Sequence, residues 1–122
     1  MKYVLMYASR PDLDAAVPQE RQQEVYRAIF DWFDQHQAVI VDGGAELQGP
    51  ETATTVKSGD RGGAPVVVDA PFSEAKESIG GFSIIDVENL DAAIAVASEW
   101  PALALPGVAV EIRPIVDHSG GR

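Results

Sequence analysis

A chain of 122 residues, 46% of them hydrophobic, is long enough for one domain with its own core and needs neither a metal nor a disulfide to fold. It contains no cysteine, which removes thiol nucleophiles, thiolate metal ligands and redox switching. With 19 Asp and Glu against 9 Lys and Arg, the formal net charge of −10 would repel a phosphate backbone, so nucleic acid is not an expected partner, and solubility is the plain reason for the balance.

Residues 1–8, rich in Tyr, Val, Leu and Met, suit a buried first strand. The apolar run ends at Ser9-Arg10-Pro11-Asp12, too early for the core of a signal peptide. No other stretch approaches the ~18 apolar residues of a membrane helix, so a cytoplasmic protein without membrane contact is expected. A polar loop, Ser9 to Val17, leads to Pro18, a residue favoured at the first helical position. From there to about Gln37 the spacing is helical. Val25, Ile29, Trp32, Phe33 and His36 share one face, and Tyr26, Ala28 and Phe30 flank it. That apolar arc is broader than a helix lying on a single sheet needs, so part of it should meet other structure.

Ala38 to Asp42 reads as a second strand ended by Gly43-Gly44. Two β-branched runs, Ala53 to Lys57 and Pro65 to Asp69, flank the Gly- and Asp-rich turn Ser58 to Gly63, a hairpin pattern. After Gly80-Gly81 comes a strand from Phe82 to Val87, and Glu88 or Asn89 can cap a second helix that Pro101 stops. Its face is Leu90, Ala93, Ile94, Ala97 and Trp100. A final strand runs from Val108 to Ile115. The order predicts an α+β, ferredoxin-like βαββαβ domain over residues 1–116 with an inserted β-hairpin, followed by a frayed tail at 117–122. Both helices would cover one sheet face, and pairing of two sheets would bury the other, so a homodimer is expected.

The stretch Asp69-Ala70-Pro71-Phe72-Ser73-Glu74-Ala75-Lys76-Glu77-Ser78-Ile79-Gly80-Gly81-Phe82 resembles the signature of the YCII-related proteins, in particular their DGPF subgroup. The likeness extends along the chain, through Lys2 to Tyr7, Ala53 to Val56, Leu90 to Ile94 and Val110 to Pro114. It implies a dimeric α+β barrel, an architecture shared by small-molecule isomerases, lyases and cofactor-light monooxygenases. It also makes a link to alternative sigma factors worth testing. Ala70 stands where the family has Gly, which implies a turn with negative φ. A His–Asp pair proposed for some relatives places its His near the start of the first helix. Here Glu20, Arg21, Gln22 and Gln23 occupy that region, so no such dyad carries over.

Asp69, Glu74, Lys76 and Glu77 put four ionisable groups within nine residues. Asp69 or Glu74 beside an apolar wall could act as acid or base, and Lys76 could hold an anion. Equally, Asp69 could fix the turn while the others form a solvated or subunit-bridging face. Glu111 and Arg113 alternate with apolar residues and share one strand face. Beneath a dimer Arg113 could fork a substrate carboxylate, or the two could pair with each other or across the interface. His36 could serve as base or ligand, or close the helix end. Tyr7, Trp32 and Phe72, with Tyr3 and Phe82, could stack on an aromatic substrate or be ordinary core. With histidines only at 36 and 118 and no phosphate-loop glycine pattern, no metal or nucleotide cofactor is expected. Two functions fit: a cofactor-independent isomerase, lyase or hydrolase acting on a small acidic or aromatic metabolite, with Asp69 or Glu74 as acid/base and Arg113 as anion clamp; or a non-catalytic dimer binding a small molecule or regulatory partner.

Overall fold

A computed structural model describes residues 1–72 and 76–119. Strand β1 (Lys2–Ser9) is followed by a single helical turn, α1 (Pro11–Asp14), and the long helix α2 (Gln19–Gln35). Then come β2 (Ile40–Glu46), the hairpin strands β3 (Thr55–Lys57) and β4 (Val66–Val68), β5 (Ser78–Asp86), α3 (Leu90–Ser98) and β6 (Ala109–Pro114). The main sheet is antiparallel in the order β2-β5-β1-β6, the ferredoxin-like arrangement, and β3-β4 form a separate two-stranded sheet. Among the described residues no helix is long and apolar enough to cross a membrane.

Strand alternation decides which residues meet the helices. Tyr3, Leu5 and Tyr7 of β1 pair with Ile85, Ser83 and Gly81 of β5 on one side and with Pro114, Ile112 and Val110 of β6 on the other. On this face Tyr3, Leu5, Ser83 and Ile85 are fully buried beneath Trp32 of α2 and Ala93 and Ala97 of α3. The two small alanines bring α3 close to the sheet, while α2 contributes the large side chain. Asn89 caps α3, its Oδ1 accepting the Ala92 amide at 2.9 Å. The opposite sheet face carries Val4, Met6 and Ile84 with Glu111 and Arg113, and among the described residues no helix lies on it.

Three elements differ from the sequence expectation. Pro11 starts a turn of helix inside the stretch expected to be loop, because its fixed φ suits a first helical position. The second strand does not stop at Gly43-Gly44 but continues to Glu46 through a bulge. Gly44 takes φ +74°, its amide donates to Asp42 Oδ1 at 2.7 Å, and the pairing resumes at Ala45 with Phe82. Gly80-Gly81 lies within β5 rather than before it, since the lack of side chains lets Ala45 and Tyr7 pack against this strand from both sides.

A side chain at Gly44 would suffer both the left-handed backbone and collision with the Phe82 carbonyl, whereas a Cβ at Gly43 meets open space. Gly44→Ala should therefore destabilise the fold by about 2 kcal/mol while Gly43→Ala changes it by no more than about 0.5 kcal/mol, read as the shift in urea midpoint.

Candidate functional site

Trp32 fixes the C-terminal half of α2 against the sheet and α3, with its Nε1 donating to the Val96 carbonyl at 3.2 Å. The N-terminal half of α2 faces a part of the sheet where side chains shrink along β5, from Ile85 to Ser83 to Gly81. Nothing fills the difference. A cavity of about 440 Å³ opens there between α2, the ends of β1 and β5, the bulged part of β2 and the turn Pro101–Ala104 with the loop beyond it.

Six of the chain's nine aromatic residues line this space: Tyr7, Tyr26, Phe30, Phe33, Phe82 and Trp100. That concentration gives walls suited to a flat ring or to a cation over ring faces. Tyr7 and Trp100 are stacked, with centroids 3.9 Å apart and planes 9° from parallel. Tyr26 and Phe30, one helical turn apart on α2, meet edge to face at 5.3 Å. The broad arc read from the α2 sequence is explained by this division, with Trp32 entering the core while Tyr26 and Phe30 remain about half exposed along the cavity.

The polar atoms are few and linked. Tyr7 Oη donates to Ser83 Oγ at 2.8 Å, and Ser83 Oγ donates to the Gly43 carbonyl at 2.9 Å. Burial pushes the Tyr7 phenol up to about 12, the Ser83 contact offsetting it in part, so the group stays protonated throughout the neutral range. Tyr26 Oη donates to Glu46 Oε1 at 3.0 Å, and that carboxylate raises the Tyr26 phenol as well. Gln22 spends both amide hydrogens on the carbonyls of Asp14 and Val17, at 3.1 and 3.0 Å, and so ties the α1–α2 connection to the helix. Asp14 and Glu46 supply carboxylates to the lining.

Of the residues expected from the sequence to form the site, Tyr7 lines the cavity and Trp32 stands behind it, ring centroids 6.4 Å apart. His36 closes the end of α2, where its Nε2 lies 2.8 Å from Glu99 Oε1 outside the cavity lining. Asp69 is exposed in the turn after β4 and accepts from Thr54 Oγ1 at 3.4 Å. Phe72 projects into solvent at 87% exposure, and Lys76 is exposed just before β5. Glu111 and Arg113 lie 3.9 Å apart on the helix-free face of the sheet. Glu74 falls outside the described residues. The structure thus brings Glu111 together with Arg113 and Tyr7 together with Trp32, but places neither Asp69 nor Arg113 at the cavity. Asp14, Gln22, Tyr26, Glu46, Ser83 and Trp100 were not singled out by sequence. Only the surplus width of the α2 arc pointed to any of them, through Tyr26. Among the described residues no group of three or more His, Asp or Glu side chains could hold a metal ion.

The Tyr7–Ser83–Gly43 chain is open to a stability test. Ser83→Ala removes the partner of the half-buried Tyr7 hydroxyl and of the Gly43 carbonyl and should cost about 1–2 kcal/mol, with Tyr7→Phe costing less and the double variant less than the sum of the two. Because the folded phenol ionises above an unfolded tyrosine, its contribution is complete below pH 10 and disappears as pH rises from about 10 through about 12. Wild-type stability should fall more steeply over that window than that of Tyr7→Phe, measured by urea unfolding at each pH.

Comparison of folds finds a likeness to 5-chloro-2-hydroxyhydroquinone dehydrochlorinase (TftG) from Burkholderia phenoliruptrix AC1100, solved in complex with 2,5-dihydroxybenzoquinone. The TM-score is 0.53 over 98% of each chain, at 16% identity, which is a likeness of fold. Among curated protein sequences none matches. The family model described as the YCII-related domain matches residues 1–119, nearly the whole chain, and the protein belongs to that family.

Proposed function

We propose that the chain is a cofactor-independent enzyme of the isomerase, lyase or hydrolase type that takes a small aromatic metabolite into the cavity between α2 and the sheet. The observation that carries this reading is the cavity itself: about 440 Å³, walled by aromatic rings, with a short set of convergent polar atoms. A volume of that size suits a single substituted ring. The TftG structure, with its bound 2,5-dihydroxybenzoquinone, supports the idea that such a ring suits the same overall fold.

The expectation of an acidic metabolite is disfavoured by the charge of the lining. No Lys, Arg or His lines the cavity among the described residues, whereas Asp14 and Glu46 do. An aromatic substrate bearing a hydroxyl fits better. A carboxylate, Glu46 or Asp14, takes the proton of the ring hydroxyl, and the oxygen's electron pair moves into the ring. A ring carbon takes up a proton, which gives isomerisation to the dienone. Where that carbon bears a leaving group, the group then departs with its bonding pair as a second ring hydroxyl gives up its proton, which gives elimination to a quinone. Tyr7, kept neutral and held by Ser83, accepts a hydrogen bond from the substrate without competing for its proton. The Asp69 acid/base role and the Arg113 anion clamp would require a second protomer to carry them to a ligand.

The working unit is a homodimer in this proposal. Val4, Met6 and Ile84 form an apolar stripe on the helix-free sheet face, with Glu111 and Arg113 beside it, and a second copy would cover them. Val4→Lys should convert the dimer into a folded monomer, read by sedimentation equilibrium. A wild-type monomer at all concentrations would refute the dimer.

A panel of hydroxylated aromatic compounds, followed by ultraviolet absorbance and by tryptophan fluorescence, tests the function. Turnover of a panel member that drops by about tenfold to a thousandfold in Glu46→Gln or Asp14→Asn supports the enzyme. Trp100 quenching without turnover would support the binding module instead. Absence of both would defeat the small-molecule reading.

A further inference from the structure

The side chains around the cavity differ sharply in what they can offer a ligand. Tyr7 donates its hydrogen to Ser83, Ser83 to Gly43, Tyr26 to Glu46, and Gln22 both amide hydrogens to Asp14 and Val17. What these groups still present is oxygen: the Tyr7 lone pairs, the Gln22 Oε1, and the carboxylates of Asp14 and Glu46. Ser9, whose hydroxyl can act either way, and Trp100, through its indole N–H, are the remaining side-chain donors on the wall. Beside the mouth a second hollow of about 390 Å³ shares Ser9, Asp14, Gln22 and Gly80 with the first and adds Glu51. It too lacks Lys, Arg and His among the described residues. Arg10, the cation just after β1, is engaged by Asp12, with Nη2 to Oδ2 at 2.7 Å.

An aromatic-walled cavity whose polar side chains present mostly acceptors, and whose charged side chains are all carboxylates, selects for a ligand that donates hydrogens and carries positive charge. We infer that the natural ligand is an aromatic amine or ammonium compound, its ring held between Tyr7, Phe30 and Phe33 and its cationic nitrogen at the mouth near Asp14 and Glu46. The inference rests on the cavity being a small-molecule site and narrows the substrate of that same site. Ring faces add to the carboxylates, because a cation over Tyr or Trp is drawn to the ring's negative face. The overall charge of −10 contributes in the same direction, enriching cations near the surface and keeping anions away.

Three probes that share the phenylethyl group and differ in its end group separate the terms: 2-phenylethylamine, cationic at pH 7; 2-phenylethanol, neutral; and 3-phenylpropionate, anionic. Each is titrated into the full chain by calorimetry at low ionic strength. The amine should bind about tenfold more tightly than the alcohol, and the alcohol more tightly than the acid. Added salt should weaken only the amine. Glu46→Gln, which keeps an oxygen for Tyr26, should lower amine affinity about threefold and so narrow the preference for the amine over the alcohol, and Asp14→Asn should act likewise. Equal affinities for amine and alcohol, or a preference for the acid, would overturn the cation inference while leaving the cavity as a ligand site. Failure of all three to bind would overturn both.

Discussion

Trp32 holds the two helices and the sheet in one arrangement, and the cavity exists because of where it sits. Its ring is 2% exposed and stands edge-on to Trp100 at 5.0 Å, to Phe33 at 5.1 Å and to Tyr7 at 6.4 Å. Its nitrogen reaches the α3 backbone at Val96. One side chain therefore connects α2, α3 and β1, with Trp100 stacked on Tyr7 completing the link. With the C-terminal half of α2 fixed in this way, the rest of the helix runs on in a straight line set by its backbone hydrogen bonds. The sheet beneath it thins from Ile85 to Gly81. The gap is thus a consequence of a rigid helix above a tapering row of side chains.

The fold was largely legible in the sequence because its signals are local. Period-2 runs marked the strands, the α2 and α3 stripes marked the helices, and Asn89 announced the start of α3. Two of the three misplacements fall at glycines. Gly43-Gly44 and Gly80-Gly81 were read as punctuation, yet both pairs lie inside strands, because here glycine serves close backbone approach and a bulge, which no short-range pattern distinguishes from a turn. The cavity was far less legible. Ionisable residues clustered in sequence, from Asp69 to Glu77, drew attention to the loop before β5. The residues that converge in space come instead from α1, α2, β1, β2, β5 and the turn after α3. Asp14 in a polar loop and Glu46 at a strand end look like any solvated carboxylate until the fold brings them to one opening.

The sheet's two faces divide the work. The helix face supplies the core and the cavity, while the opposite face keeps Glu111 and Arg113 among apolar neighbours, more than half exposed and 3.9 Å apart. An exposed pair of that kind contributes little to the stability of the single chain. Covered by a second sheet, the same pair would be held in a drier setting where its geometry matters more, and removing one partner would leave the other charge stranded. In such a pairing the charges on this face would orient the interface, while the cavity lies on the other face of the sheet.

An open aromatic cavity is costly to a small domain, since Tyr26 and Phe30 remain 48% and 61% exposed along it. A fold optimised for stability alone would fill the gap with larger side chains, but β5 cannot supply one at Gly81, where a Cβ would meet the Ala45 carbonyl at 2.7 Å. Ser83 is small as well, and it holds Tyr7 in place rather than filling space. Ligand binding would bury the Tyr26 and Phe30 rings and recover part of that loss, so occupancy and folding are coupled by mass action. The coupling also favours a particular kind of ligand. A ring alone recovers apolar area, but a ring bearing a donor group also meets the Tyr7 oxygen and the Glu46 carboxylate, whose existing partners, Ser83 and Tyr26, already hold them in position. A ligand of that kind would need little further ordering of these groups, and such preorganisation lowers the cost of binding.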